Sequence, residues 1–319
     1  VTPGRTVALG PRATAAESRG RPPARLGDIS FLNCAPLRWG LADSGARAEL
    51  EVCSGSPEWL ADELLAGRLD ISPVSLARYL GQADELVLLP GPAIGSDGPV
   101  HSCHLVSRGP LEELDGRVVA LSDVSRTTAL LARLLLEDLV GVRPVYRRAS
   151  QNVGEMLGSA DAAVVIGDDA LRLRTETPRG LRVWDTGELW RNWTGLPMVF
   201  AVWAVRRDYA LAHPDRVRAV RDALTDAVRR ARADPAAVAA SAAVESARGP
   251  GGALPEEVLL DYFRVLDYSL GERQLASVRE FARRTGARGA VPRGIGPLPP
   301  PTFADTPVTA SPSASGGRQ

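Results

Sequence analysis

Short apolar runs alternate with helical patterns from about residue 25 to residue 286. No other feature narrows the fold as much. Runs of four to eight apolar residues are strand length, and amphipathic stretches between them supply helices that cover a sheet, so the chain reads as α/β. Strands are expected at Arg25–Ser30, Leu69–Ser72, Leu86–Leu89, Cys103–Ser107, Arg117–Leu121, Ala162–Ile166 and Met198–Val205. Ser56-Pro57 offers an N-cap and a first-turn proline for a helix ending near Gly67. Ser75–Leu80 reads as a short helix and Ser125–Leu139 as a longer one, with Leu131, Leu134, Leu135 and Leu139 on one face. Pro214 opens a long helix whose Val217, Val220, Leu224, Val228 and Ala231 share a face, and further helices fall at Pro255–Leu266 and Glu272–Thr285.

Charge excludes one large class of function. Thirty-eight basic residues balance thirty-eight acidic ones, so no broad positive field is available to hold nucleic acid. Every basic residue is arginine, which rules out Schiff-base chemistry on lysine. No stretch approaches the roughly 18 apolar residues that span a bilayer. Residues 1–24 lack the continuous apolar segment of a secretory signal and read as a disordered extension, and the Pro, Gly, Ser and Thr-rich end, 292–319, reads the same way. Cys34, Cys53 and Cys103 and the three histidines, His101, His104 and His213, share no metal-ligand spacing, so no metal is expected. Three scattered thiols point to a reducing, cytoplasmic setting.

Two segments share a construction. RLDISPVSLARYL and SADAAVVIGDDALRL each run a buried strand straight into a helix start, where free peptide N–H groups and the helix dipole suit a carboxylate. Facing each other, the two would hold an anion without any net positive charge; they also fit ordinary strand-to-helix connections.

The segment Gly27-Asp28-Ile29-Ser30-Phe31-Leu32-Asn33-Cys34-Ala35-Pro36-Leu37 resembles the N-terminal signature of the MqnA family, the chorismate dehydratases of the futalosine route to menaquinone. Five later segments resemble the same family in order: GRLDISPVSLARYL from Gly67, SDGPVHSC from Ser96, SRTTALLARLLL from Ser125, ADAAVVIGDDAL from Ala160 and WTGLPMVFAVWAVRRDYA from Trp193. The resemblance implies a two-lobed fold like the type 2 periplasmic binding proteins, with a ligand cleft between the lobes. Residues 25–106 plus 199–291 would form lobe 1 and residues 107–198 lobe 2, with hinges near Ser107 and near Pro197-Met198.

It also implies a small dicarboxylate, chorismate, as substrate, converted to 3-[(1-carboxyvinyl)oxy]benzoate and water without any cofactor. Asn33 and Ser102 would be the catalytic residues. Ser75, Ser125, Arg126, Thr127, Gly167 and Asp168 would bind substrate. Read without the resemblance, Asn33 fits a turn residue, Ser102 a strand-entry serine, Arg126 a solvated helix face and Asp168 a helix cap. His101 and His104 would alternate with Ser102 and Cys103 along a strand, and no catalytic histidine is expected. Trp190 and Trp193 read as packing residues. A non-catalytic solute-binding module and the sister enzyme, 1,4-dihydroxy-6-naphthoate synthase, are the alternatives.

Overall fold

The computed structural model describes residues 23–249 and 251–286. The expected terminal extensions lie outside the described residues, except for Pro23 and Ala24, and Ala24 already opens the first strand. Eleven strands are described: β1 Ala24–Ile29, β2 Leu50–Gly55, β3 Ile71–Ser75, β4 Leu86–Ser96, β5 Cys103–Ser107, β6 Val118–Ser122, β7 Val145–Ala149, β8 Ala162–Ile166, β9 Arg182–Asp185, β10 Met198–Arg206 and β11 Leu266–Ser269. They form two sheets, ordered β11-β4-β10-β3-β1-β2 and β7-β6-β8-β5-β9.

Each sheet combines parallel strands linked through helices with antiparallel strands that carry the chain between sheets. β1 runs parallel to β2 and β3, while β10 is antiparallel to β3 and β4. In the second sheet β6 runs parallel to β7 and β8, and β5 is antiparallel to β8 and β9. β3 and β8 are buried along their whole length, as strands covered on both faces must be.

The chain leaves the first sheet at Ser96 and enters the second at Cys103. The first crossing is therefore residues 97–102, and the expected lobe boundary at 106/107, with its hinge near Ser107, is corrected: all of β5 belongs to the second sheet, paired with β8 and β9. An apolar run does not say which sheet it joins, because either could bury it. The second crossing passes through the helix Thr186–Thr194 and returns at Met198, next to the expected hinge.

Helix starts follow local chemistry closely. The Ser56 hydroxyl accepts the Trp59 N–H at 3.3 Å ahead of the helix Pro57–Leu65, and Pro214 begins the helix Pro214–Ala233. That helix buries Val217, Val220, Leu224, Ala227 and Ala231. It packs so closely on the helix Ala35–Asp43 that a Cβ on Gly40 would stand 2.2 Å from the Ala227 carbonyl oxygen.

One expected face breaks. Thr127–Leu134 is α-helical, but Leu135–Val140 continues as a π-helix. Leu131, Leu134 and Leu135 are buried, whereas Leu139 is 39% exposed. The wider π turn carries Leu139 around the axis and off the core-facing stripe.

Candidate active site at the seam between the lobes

Asn33 lies in a 3-10 turn, Leu32–Cys34, between β1 and the helix Ala35–Asp43. Arg38 holds this loop from below: its guanidinium donates to the carbonyls of Ile29 at 2.7 Å and Phe31 at 3.1 Å, and also pairs with Asp28. Burial pushes the Asp28 carboxyl up, and the adjacent Arg38 and the Ser54 hydroxyl pull it partly back. The Tyr268 hydroxyl donates to the Asn33 carbonyl at 2.7 Å. The Asn33 side-chain oxygen is buried and has no hydrogen-bond partner. A buried amide oxygen left unpaired costs free energy, so its place in a folded chain calls for an explanation.

Ser102 ends the first crossing, 4% exposed. Its hydroxyl accepts from the Tyr262 hydroxyl at 2.9 Å, and its own carbonyl accepts the Gly167 N–H at 2.8 Å. Gly167 has φ +66°, and a Cβ there would meet the Phe31 ring at 3.3 Å, so the bare glycine lets the second-lobe corner close over the first-lobe loop. Asp168 does not cap its own helix. Its Oδ1 accepts the Leu32 N–H at 3.0 Å across the seam, although the helix Gly167–Thr175 begins at its neighbour. Burial raises the Asp168 carboxyl, opposed by the Leu32 N–H and by Arg172 and Arg38. Asn33, Ser102, Gly167 and Asp168 thus stand in one chain of contacts, ended by Tyr268 and Tyr262.

The other expected ligand residues form a neighbouring group. The Ser75 hydroxyl accepts the Arg78 N–H at 3.3 Å and caps the helix Leu76–Leu80. Thr127 Oγ1 accepts the Ala77 N–H of that same helix at 3.0 Å. The Ser125 hydroxyl accepts the Thr128 N–H at 3.2 Å, and Thr128 Oγ1 reaches Cys103 Sγ at 3.6 Å, next to Ser102. The helix start after β3, read from sequence as a carboxylate acceptor, thus spends N–H groups on Ser75 and Thr127.

Arg126 stands apart. Its side chain is 43% exposed and its guanidinium pairs with Glu58. With Arg78, Arg133 and Arg148 it lines an inter-lobe cavity of about 560 Å³ that includes Ser125 but neither Asn33 nor Ser102. A partly exposed pair of this kind contributes little. Arg126→Ala should change unfolding free energy by no more than about 1 kcal/mol and leave KM unchanged; a several-fold rise in KM would place substrate on it.

His101 and Ser102 are not on a strand. His101 has φ +64°, and β5 begins only at Cys103. Asp185 fixes this turn: its carboxylate accepts the N–H groups of Val100 at 3.0 Å and His101 at 2.7 Å, together with those of Gly187 and Glu188 at the start of the next helix. Burial opposes charge on Asp185, but the buried His104 ring at 3.6 Å and these peptide donors outweigh it and hold the carboxyl below its usual range. Burial and the nearby Arg174 push His101 down to about 4.

Folding therefore lowers proton affinity at His101, and protonation favours the unfolded chain. Its share of stability is whole above pH 6.5 and is lost as pH falls from there toward 4. A histidine NMR titration should put His101 near 4; a midpoint near 6.5 would contradict the site. His101→Asn, which tolerates positive φ, should keep most of the turnover.

Burial pushes the Cys34 thiol far up and the Cys103 thiol up to about 12, so neither is a thiolate nucleophile. Among the described residues no three His, Cys, Asp or Glu side chains gather as a metal site, and no helix is long and apolar enough to cross a membrane. Tyr262 and Tyr268 escaped the sequence reading. They sit in ordinary helical and strand patterns more than 150 residues from the groups they touch, and nothing local marks them.

Trp190 and Trp193 pack as expected. Trp190 is fully buried, its indole N–H donates to Ser277 at 3.1 Å, and its ring meets Trp193 and Phe281 edge-on.

Known proteins share both the architecture and the sequence. The periplasmic aliphatic sulphonate binding protein SsuA of Escherichia coli superposes with a TM-score of 0.62 over 86% of this chain and 90% of its own, at 16% identity, so the fold is of the periplasmic-binding-protein type. A chorismate dehydratase of Thermus thermophilus is 36% identical over 200 residues, 58% of this chain and 71% of that enzyme. A 1,4-dihydroxy-6-naphthoate synthase of the same organism is 30% identical over 247 residues, 75% of this chain and 83% of the enzyme. The family described as Menaquinone biosynthesis matches residues 24–287, nearly every residue from which both lobes are built, and the chain belongs to that family.

Proposed function

We propose that this chain is a chorismate dehydratase of the cytoplasm, acting within menaquinone biosynthesis. The observation that carries the proposal is the buried, unpartnered side-chain oxygen of Asn33, in a loop whose Leu32 N–H is held by Asp168 of the other lobe. Such an oxygen is a ready acceptor for a ligand hydroxyl, and the carboxamide N–H groups beside it are donors for a carboxylate. The FLNCAPL segment around it and the 36% identity to a chorismate dehydratase support this substrate.

The reaction removes the ring C3 proton and the C4 hydroxyl of chorismate as water and leaves an aromatic ring. The C3–H bond is weakened because the ring carboxylate takes up developing charge through the conjugated double bond. Aromatisation supplies the driving force, so the protein's task is to hold a reactive conformer, which is worth about 7–11 kcal/mol of barrier when geometry is good. Asn33 would orient the C4 hydroxyl, Ser102 would donate to a substrate oxygen, and the substrate's own enolpyruvyl carboxylate would take the proton. Neutral His101 and high-pKa thiols at the seam fit a reaction that asks little acid or base of the protein.

The naphthoate synthase reading is favoured by the longer span of the match to that enzyme. Incubation with chorismate, followed by chromatography for the enolpyruvyl benzoate, decides between them. Product from chorismate and none from cyclic dehypoxanthine futalosine is the expected result; the reverse would transfer the chain to the sister reaction, and saturable binding with no product would make it a receptor.

A further inference from the structure

Resting on that reading, we propose that Tyr262 is a positioning residue that makes Ser102 an obligate hydrogen-bond donor to the substrate. Tyr262 belongs to the helix Glu256–Val265, which follows the return of the chain from the second lobe at Met198. It is 1% exposed, and its hydroxyl donates to Ser102 Oγ at 2.9 Å. A serine hydroxyl has one proton and two lone pairs. With one lone pair already occupied by Tyr262, the Ser102 proton must point elsewhere. Within the protein its acceptors are the Val100 carbonyl at 3.5 Å, the outer limit of a hydrogen bond, and the Cys103 sulfur, a weak acceptor. Both are weak partners, so an oxygen of a bound ligand can take the proton from them, and the Tyr262 bond polarises Ser102 toward giving it.

The arrangement is held rigidly. The Ser102 carbonyl is bound by Gly167, and the preceding turn is clamped by Asp185 through Val100 and His101. Tyr262 stays a donor throughout the working pH range, since burial keeps its hydroxyl protonated. The strand that follows this helix reaches the other proposed catalytic residue, for Tyr268 donates to the Asn33 carbonyl. One C-terminal segment thus braces two residues that lie 69 positions apart in the sequence.

A double-mutant cycle tests the assignment. Tyr262→Phe, Ser102→Ala and the double variant are compared with the full chain for kcat, KM and melting temperature, with chorismate as substrate. Tyr262→Phe should lower kcat about tenfold, the worth of one buried hydrogen bond, with KM nearly unchanged. Ser102→Ala should lower kcat on the order of a hundredfold, and the double variant should match Ser102→Ala alone, because Tyr262 has no route to the substrate except through Ser102. Independent losses that multiply in the double variant overturn the proposal, as does a Tyr262→Phe kcat equal to wild type. A Tyr262→Phe chain that loses activity only in step with its melting temperature also overturns it. Full activity in Ser102→Ala, with Asn33→Ala inactive, removes Ser102 from the site and the proposal with it while the functional reading stands. A wild-type chain inert to chorismate sinks the functional reading itself and this proposal along with it.

Discussion

Asn33→Ala leaves a folded chain whose turnover of chorismate falls by roughly two to three orders of magnitude, the usual effect of deleting one preorganised polar contact to a reacting group. Stability should hardly change. The Asn33 side-chain oxygen is buried without a partner, so truncation removes an unsatisfied acceptor rather than a bond, and such a change is close to neutral or slightly stabilising. The loop keeps its shape because Arg38 and Tyr268 hold the backbone of residues 29–33, not the Asn33 side chain. Activity and stability thus separate at this position. Product formation and a melting curve on the same preparation give both quantities; turnover near wild type, or a melting point lowered by many degrees, would refute the role given to the carboxamide. Asn33→Asp is a sharper variant, since it keeps the size of the side chain but sets a negative charge against a dianionic substrate, and it should also be nearly inactive.

The largest effect on stability is expected at Trp190. Truncation to alanine should cost about 3–5 kcal/mol and lower the melting temperature by roughly 10 °C for a chain of this size. The indole fills a fully buried site in the helix of the second crossing and packs against Phe281 and Trp193. Removing it opens a cavity and strands the Ser277 hydroxyl, which is itself 0% exposed and takes the indole N–H. Trp190→Phe would fill most of the volume and lose only the hydrogen bond, so it should sit between wild type and alanine. Urea unfolding monitored by circular dichroism orders the three proteins; an alanine variant within 2 °C of wild type would mean that the crossing is not anchored by this ring.

Much of the architecture was legible in local sequence. Strands β5, β8 and β10 fall almost where their apolar runs place them, and the helices opened by Ser56-Pro57 and Pro214 start at those prolines. These signals are local, because burial of a run and satisfaction of a helix end depend on neighbours a few residues away. The misses share the opposite property. Leu139 turns outward because a π turn intervenes, β11 is only four residues and lies next to a helix, and Asp168 prefers a peptide N–H of the other lobe to the cap of its own helix.

The amino-acid order alone settled the α/β class, the helix caps, the want of a nucleic-acid-binding field and, through resemblance, the two-lobed plan and the residues to suspect. Tertiary structure alone decided which lobe owns β5, which of the suspected side chains meet, and that Arg126 pairs with Glu58. Only it brought Tyr262 to Ser102 and Tyr268 to Asn33. The reason is distance along the chain: 160 and 235 residues separate those pairs, and a hydrogen bond between such remote groups exists only after both sheets have formed and the seam between them has closed.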